Sequence, residues 1–132
     1  MTYDGYYGTE LLYFNCITGL KDIDVQFIVQ KTVGATFANQ FNSFWPDLNQ
    51  SHNETESYIV YRWFSTPSEI YTIDSTRKYT EAQFQLKGIN QTVANDIYYA
   101  TFTIACNGYR INATGHFWDS CIYVNDHHIQ PT

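Results

Sequence analysis

Apolar and polar residues alternate along much of the second half of the chain. In residues 80–87 the apolar side chains are Ala82, Phe84 and Leu86, and each is followed by a polar residue. Residues 98–106 carry a second set of alternating apolar side chains. A period of two is typical of a β-strand with one face in the core and the other in solvent. Both segments are therefore predicted to be strands.

Turn sequences indicate how further strands are connected. Residues 58–64 are rich in aromatic and β-branched side chains and are followed by a Thr-Pro-Ser turn, so residues 69–73 are predicted to form their hairpin partner. Asn107-Gly108 after the segment that ends at residue 106 predicts a second hairpin, which returns over residues 108–112. Residues 116–124 are predicted to be the last strand, and residues 125–132 a polar tail.

The first third of the chain is less regular. Residues 11–17 and 23–29 are predicted to be strands with a turn around Gly19. Large apolar residues then recur at helical spacing, which predicts a helix over residues 33–45 that Pro46 would end. Strong helix formers are scarce in this segment. The residues at helical spacing are Val33, Phe37, Phe41, Phe44 and Trp45.

The predicted elements indicate one mainly β domain over residues 1–132. Its strands would form an antiparallel barrel or a β-sandwich, with the short helix at residues 33–45 packed against it. The alternative is an α+β fold in which the helix packs across a curved antiparallel sheet.

Composition excludes several classes of protein. Aromatic residues make up 18% of the chain, with 12 tyrosines, which excludes a disordered chain. The net charge is −6, and the largest basic cluster is the pair Arg77-Lys78, so a nucleic acid is not an expected partner. No apolar run approaches the roughly 20 residues that a membrane span needs. The first residues lack the basic and apolar segments of a signal peptide.

The cysteines allow one internal disulfide. Three are present, and Cys106 and Cys121 are the predicted pair because both lie in predicted apolar strands. Cys16 is then a spare thiol through which the chain could form an oligomer.

Asn-x-Ser/Thr sequons are more frequent than this composition would produce by chance. They predict a glycoprotein that is secreted, extracellular or part of a virion. The four asparagines are Asn49, Asn53, Asn90 and Asn112.

No set of residues has the spacing of a catalytic or metal site. On one strand His116 would face away from Asp119 and Cys121, so these side chains would not converge on a metal. The chain also has no Gly-x-Ser-x-Gly elbow and no glycine-rich phosphate loop. We therefore expect a protein that is not an enzyme and has no cofactor or metal.

Three short segments resemble parts of arthropod salivary lipocalins, which are secreted β-barrels that hold small ligands. They are WPDLNQ at residues 45–50, YIVYR at 58–62 and FWDSC at 117–121. The resemblance implies a ligand-holding barrel. The chain departs from that family because no Gly-x-Trp opens its first strand and the usual cysteine set is absent, so we do not assign it there.

Large aromatic side chains are the remaining candidates for function. They suit contacts with another protein or with a small apolar or cationic ligand. The first hypothesis is a non-catalytic, extracellular or viral protein-binding module. The alternatives are a small-ligand carrier with an aromatic-lined barrel cavity and a structural subunit of a larger assembly such as a virion. The candidate contact residues are Tyr6, Tyr7, Trp45, Trp63 and Trp118.

Overall fold

The structure is a computed structural model, and it describes residues 2–3, 7–15, 19–31, 34–71, 78–86, 96–117 and 122–125. Within these ranges all regular structure is β-strand, which confirms the mainly β prediction. The strands are β1 (Thr2–Tyr3), β2 (Tyr7–Asn15), β3 (Leu20–Gln30), β4 (Thr36–Asn42), β5 (Asn49–Glu54), β6 (Tyr58–Phe64), β7 (Lys78–Gln85), β8 (Ile97–Ile104), β9 (Arg110–His116) and β10 (Ile122–Asn125).

The strands form two sheets, called sheet I and sheet II below. Sheet I has the order β1-β2-β7-β4, and β10 also pairs with β2. Sheet II has the order β5-β6-β3-β8-β9. The strand pairs are antiparallel except that β10 runs parallel to β2. Among the described residues the sheets do not close into a barrel, so the barrel alternative of the prediction is not supported.

One core lies between the two sheets. Along β3, the side chains of Ile23, Val25, Phe27 and Val29 are buried and the residues between them are not. The Phe14 ring of sheet I meets the Phe102 ring of sheet II with ring centroids 5.8 Å apart. Large buried rings remove much apolar area from water, and this burial drives the sheets together. The architecture is therefore a β-sandwich.

Several predicted strands are confirmed. β6 occupies the predicted residues 58–64, and β2, β3, β7 and β8 cover most of the other predicted segments. The β8–β9 hairpin forms around Asn107-Gly108, as predicted. Gly108 has a φ of 75°, a left-handed conformation that glycine adopts without strain, and its N–H donates to the Ile104 carbonyl.

The predicted helix at residues 33–45 is wrong, because Thr36–Asn42 is a strand that pairs with β7. A register shift lies between Phe37 and Asn39. As a result Phe37 and Gln40 are both paired with β7 residues that face the core. The bulge breaks the strand period. The apolar residues whose spacing predicted the helix do not share one buried face, because Phe44 is buried whereas Phe41 and Trp45 are exposed.

The predicted hairpin between residues 58–64 and 69–73 is also wrong. β6 pairs with β3 and with the preceding strand β5. Residues 69–70 are not in a strand, and Tyr71 makes only an isolated bridge to Leu20. β5 was missed because all of its residues are polar and exposed, so it carries no hydrophobic pattern.

The end of the chain differs from the single strand predicted at residues 116–124. β9 ends at His116, and the next described strand is β10. Asn125, the first residue of the predicted tail, belongs to β10, and residues 126–132 lie outside the described part.

Candidate functional site

The outer face of sheet II carries an apolar patch. Ile28 of β3 lies between Val60 of β6 and Ile97 of β8. Tyr58 and Tyr99 flank these side chains, and each tyrosine is 44% exposed. Alternate residues of the same strands enter the core, so strand periodicity sends these five side chains outward. We call Ile28, Tyr58, Val60, Ile97 and Tyr99 the outer patch.

A surface depression of about 310 Å³ lies within the outer patch. Its lining is mostly apolar, and the Gln30 side chain contributes to its edge. A site with this lining can receive an apolar side chain, and the amide and phenol groups around it can hydrogen-bond a partner. Burial raises the pKa of the Tyr98 phenol, which lies on the opposite face of β8 and is not part of the patch.

Charged residues occupy the other end of the same face. Arg62 donates from Nε and Nη2 to the two oxygens of Asp24, at 3.1 Å and 2.9 Å. This pairing raises the pKa of the Arg62 guanidinium. The guanidinium also lies 4.5 Å from the centre of the Phe64 ring. The charge of Arg62 is therefore largely neutralised where a partner would approach.

The described sequons lie on this face as well. In the strand registers Asn49 is opposite Phe64, Asn53 is opposite Val60, and Asn112 is opposite Thr101. All three asparagines are exposed, and they point outward together with their partners. Asn53 borders the outer patch, whereas Asn49 and Asn112 lie towards the charged end. Asn90 lies outside the described residues.

The predicted aromatic contact residues do not form one site. Trp63 is fully buried, with its ring 4.7 Å from that of Phe27. Trp45 is 79% exposed in the loop between β4 and β5. The backbone of Tyr7 begins β2, but its side chain is not described, and Tyr6 and Trp118 lie outside the described residues.

A polar depression of about 260 Å³ lies near the Trp45 loop, lined in part by Asn42, Asp47 and Gln50. Its amides are largely engaged with each other and with backbone. Asn42 donates to the side chain of Gln50 and accepts from the N–H groups of Phe44 and Leu48. These bonds order the loop.

Cys106 lies in the β8–β9 turn and carries a free, exposed thiol, where an apolar strand and a disulfide were predicted. Its predicted partner Cys121 lies outside the described residues, as does Cys16.

Two acidic side chains, Glu10 and Asp96, are fully buried in the core. Their carboxyl groups are neighbours, close enough for each to shift the pKa of the other. Two carboxylates can only accept, so a hydrogen bond between them would require one of the groups to hold a proton. Among the described residues no group donates to either oxygen of Glu10 or to Oδ2 of Asp96.

Burial is the main cause that raises the pKa of Glu10 well above its ordinary value, and the neighbouring Asp96 carboxyl raises it further. Burial also raises the pKa of Asp96, but three contacts oppose the change: Glu10, the Gln30 N–H at 2.8 Å and the charge of His116. This pair was not predicted from the sequence. Glu10 shares the inward alternation of Leu12 and Phe14, which was the available signal.

Among the described residues, no group of three His, Cys, Asp or Glu side chains is placed to hold a metal ion. The same part of the chain contains no helix of the length and hydropathy that a membrane span requires. Comparison of the chain with protein-family models, with curated proteins and with solved structures gave no match.

Proposed function

We propose that this chain is a non-catalytic interaction module of an extracellular or virion surface, and that it binds another protein through the outer face of sheet II. The observation that carries the proposal is the outer patch, in which two half-exposed tyrosines flank three aliphatic side chains. Tyrosines at the centre of an interface contribute much binding energy, because their rigid rings bury a large area and keep a polar tip.

The shape of the patch favours a protein over a small molecule. The depression lies on a sheet surface, whereas small-ligand sites enclose most of the ligand. Between the sheets, the described interior is filled by rings such as Phe14, Phe102 and Trp63. The closed barrel on which the carrier hypothesis depends is not present among the described strands.

Charge favours a basic partner. The chain has a net charge of −6, which attracts a cationic protein and speeds its association. The faces of Tyr58 and Tyr99 can also accept Lys or Arg side chains in cation–π contacts. On the face itself the charge of Arg62 is offset by Asp24, whereas Arg110 at the charged end donates to Thr101, Thr103 and the Asp22 carbonyl. A cationic partner would therefore be received at the outer patch rather than at the charged end. We therefore expect a partner surface with an apolar anchor surrounded by Lys and Arg.

Site-specific photo-cross-linking tests the proposal. A benzophenone amino acid at Tyr99 is expected to capture a distinct protein from the natural source, whereas the same group at Tyr109 is not. Tyr109 is a matched control because it is an exposed tyrosine in the β8–β9 loop, outside the patch. Equal capture at both positions would contradict the proposal, and capture of a second copy of this chain would support an assembly subunit instead.

Affinity measurements with the captured protein complete the test. Tyr58→Ala and Tyr99→Ala are each expected to weaken binding by about tenfold or more, the loss typical of an interface hot spot. Tyr109→Ala is expected to change it by less than about twofold. Unchanged unfolding curves would show that the variants remain folded, and unchanged affinity of both patch variants would overturn the proposed face.

A further inference from the structure

We propose that Glu10 and Asp96 form a proton-dependent link between the two sheets, which stabilises the sandwich in mild acid and loosens as the pH rises. This device goes beyond the proposed binding function and does not depend on it. It rests on two carboxyl groups that lie in the core, where the described residues offer too few hydrogen-bond donors for two negative charges.

The pair connects elements of both sheets. Glu10 lies in β2 of sheet I, and Asp96 directly precedes β8 of sheet II. Oδ1 of Asp96 accepts from the Gln30 N–H at the end of β3, so Asp96 is fixed to sheet II. A proton on Glu10 would be donated to Asp96 in a hydrogen bond and would tie Glu10 to this position. Two ionised carboxylates here would repel each other in a medium of low dielectric constant.

The surroundings assign the proton to Glu10. Asp96 has a backbone donor and a nearby His116, both of which favour its charged form. Glu10 has no comparable donor among the described residues. Tyr61 is near Glu10, but its hydroxyl donates to the Gln83 carbonyl.

The other charged side chains near this pair, among the described residues, do not change this assignment. Lys78 faces the core from β7, but Phe14 is its cross-strand partner and Ala82 is that of Glu10. Four residues along a strand correspond to about 13 Å, which is too far for a direct contact between Lys78 and Glu10. Glu54 is an exposed carboxylate that acts on Tyr61 and is paired with Lys31.

The sign of the pH dependence follows from the raised pKa of Glu10. In the unfolded chain this carboxyl ionises near its ordinary pKa of 4.5. Between that pH and its folded pKa, the folded protein holds a proton that the unfolded chain has released. Stability is therefore greatest in mild acid and falls as the pH rises towards the folded pKa of Glu10.

Urea unfolding between pH 5.5 and 8.0 tests the link. The equilibrium constant for unfolding of the wild type is expected to increase by about tenfold for each pH unit. This increase starts at pH 5.5 and continues until the pH reaches the folded pKa of Glu10. This window lies above the pH at which the Glu54 carboxylate, whose pKa is lowered by Lys31, begins to lose its charge.

Glu10→Gln is expected to remove most of this pH dependence, because the amide is neutral at every pH and can donate to Asp96. Glu81→Gln is the matched control: it makes the same change on β7 outside the core and is expected to retain the wild-type slope. His116→Gln is expected to retain most of it, which separates the effect of this neighbour from that of Glu10.

A carboxyl-carbon NMR titration of the wild type decides the question even if Glu10→Gln fails to fold. The Glu10 signal is expected to shift with a midpoint well above 4.5. A midpoint near the ordinary value, or an unchanged slope in a folded Glu10→Gln variant, would overturn the proposal.

Discussion

Two tryptophans of this chain lie in opposite environments, Trp63 in the core and Trp45 at the surface. Tyr61 and Trp63 both face inward and lie stacked with ring centroids 6.1 Å apart. The Trp63 N–H has no acceptor among the described residues. Trp63 is therefore held by packing and ring contacts, whereas Trp45 presents most of its ring to solvent.

This contrast predicts different costs for the same substitution. Trp63→Ala is expected to lower the free energy of unfolding by about 3–5 kcal/mol, because it leaves a large cavity in the core. Trp45→Ala is expected to change it by no more than about 0.5 kcal/mol. Urea unfolding of both variants checks the difference, and equal losses would contradict the placement of these rings.

At the scale of elements, the edge strand β5 depends on its turn rather than on burial. All of its residues are exposed. At the turn into β6, Oγ1 of Thr55 accepts from the N–H groups of Ser57 and Tyr58. The Thr55 N–H in turn donates to the Tyr58 carbonyl. These bonds close the hairpin and set the register in which Asn53 lies opposite Val60.

Thr55→Ala is expected to loosen this hairpin. It removes the acceptor of two backbone N–H groups at an exposed turn, where water replaces part of the loss, so we expect a cost of about 1 kcal/mol. Faster hydrogen exchange is expected for the β5 amides and not for those of β9 at the opposite edge. Thr55→Ser keeps the hydroxyl and is the control, and equal exchange in both variants would contradict the role of the turn.

The β8–β9 hairpin and β4 show which elements local sequence can specify. The glycine in Asn107-Gly108 permits the backbone conformation that this turn needs, so the hairpin was predictable. In β4 the β-bulge between Phe37 and Asn39 hides the strand period. The hydrogen bonds that fix this strand come from β7, which is distant in the sequence, so the helical spacing was misleading.

At the scale of the whole molecule, the outer face of sheet II combines the outer patch with three sequons. A glycan on Asn53 would lie beside Val60 and cover part of the patch. Glycans on Asn49 and Asn112 would lie towards the charged end and leave the patch open. Use of the Asn53 sequon would therefore restrict which partners can reach the proposed binding face.

Expression through a eukaryotic secretory pathway tests this arrangement. Glycopeptide mass spectrometry is expected to find glycans on Asn49, Asn53 and Asn112, because all three are exposed on strands near the sheet edges. Asn53→Gln is expected to increase capture by the cross-linker at Tyr99, whereas Asn112→Gln is not. Secreted protein without glycan at these positions would count against the proposed glycoprotein.

The sequence by itself determined the β class, the positions of most strands and the inward face of the strongly alternating ones. These follow from local periodicity, because a strand sends successive side chains to opposite faces and the apolar set enters the core. The same rule could have placed Trp63 inside, since it shares its alternation with Ile59 and Tyr61.

Only the tertiary structure decided which strands pair, which face of a sheet stays exposed to solvent and which acidic side chains become neighbours. The polar segment β5 becomes a strand because β6 offers it an edge, and Glu10 meets Asp96 because two sheets from distant parts of the chain pack together. Such pairings depend on hydrogen bonds and burial summed over the whole fold. A local pattern specifies which way a side chain faces in its strand, but it does not specify what that side chain will contact across the core.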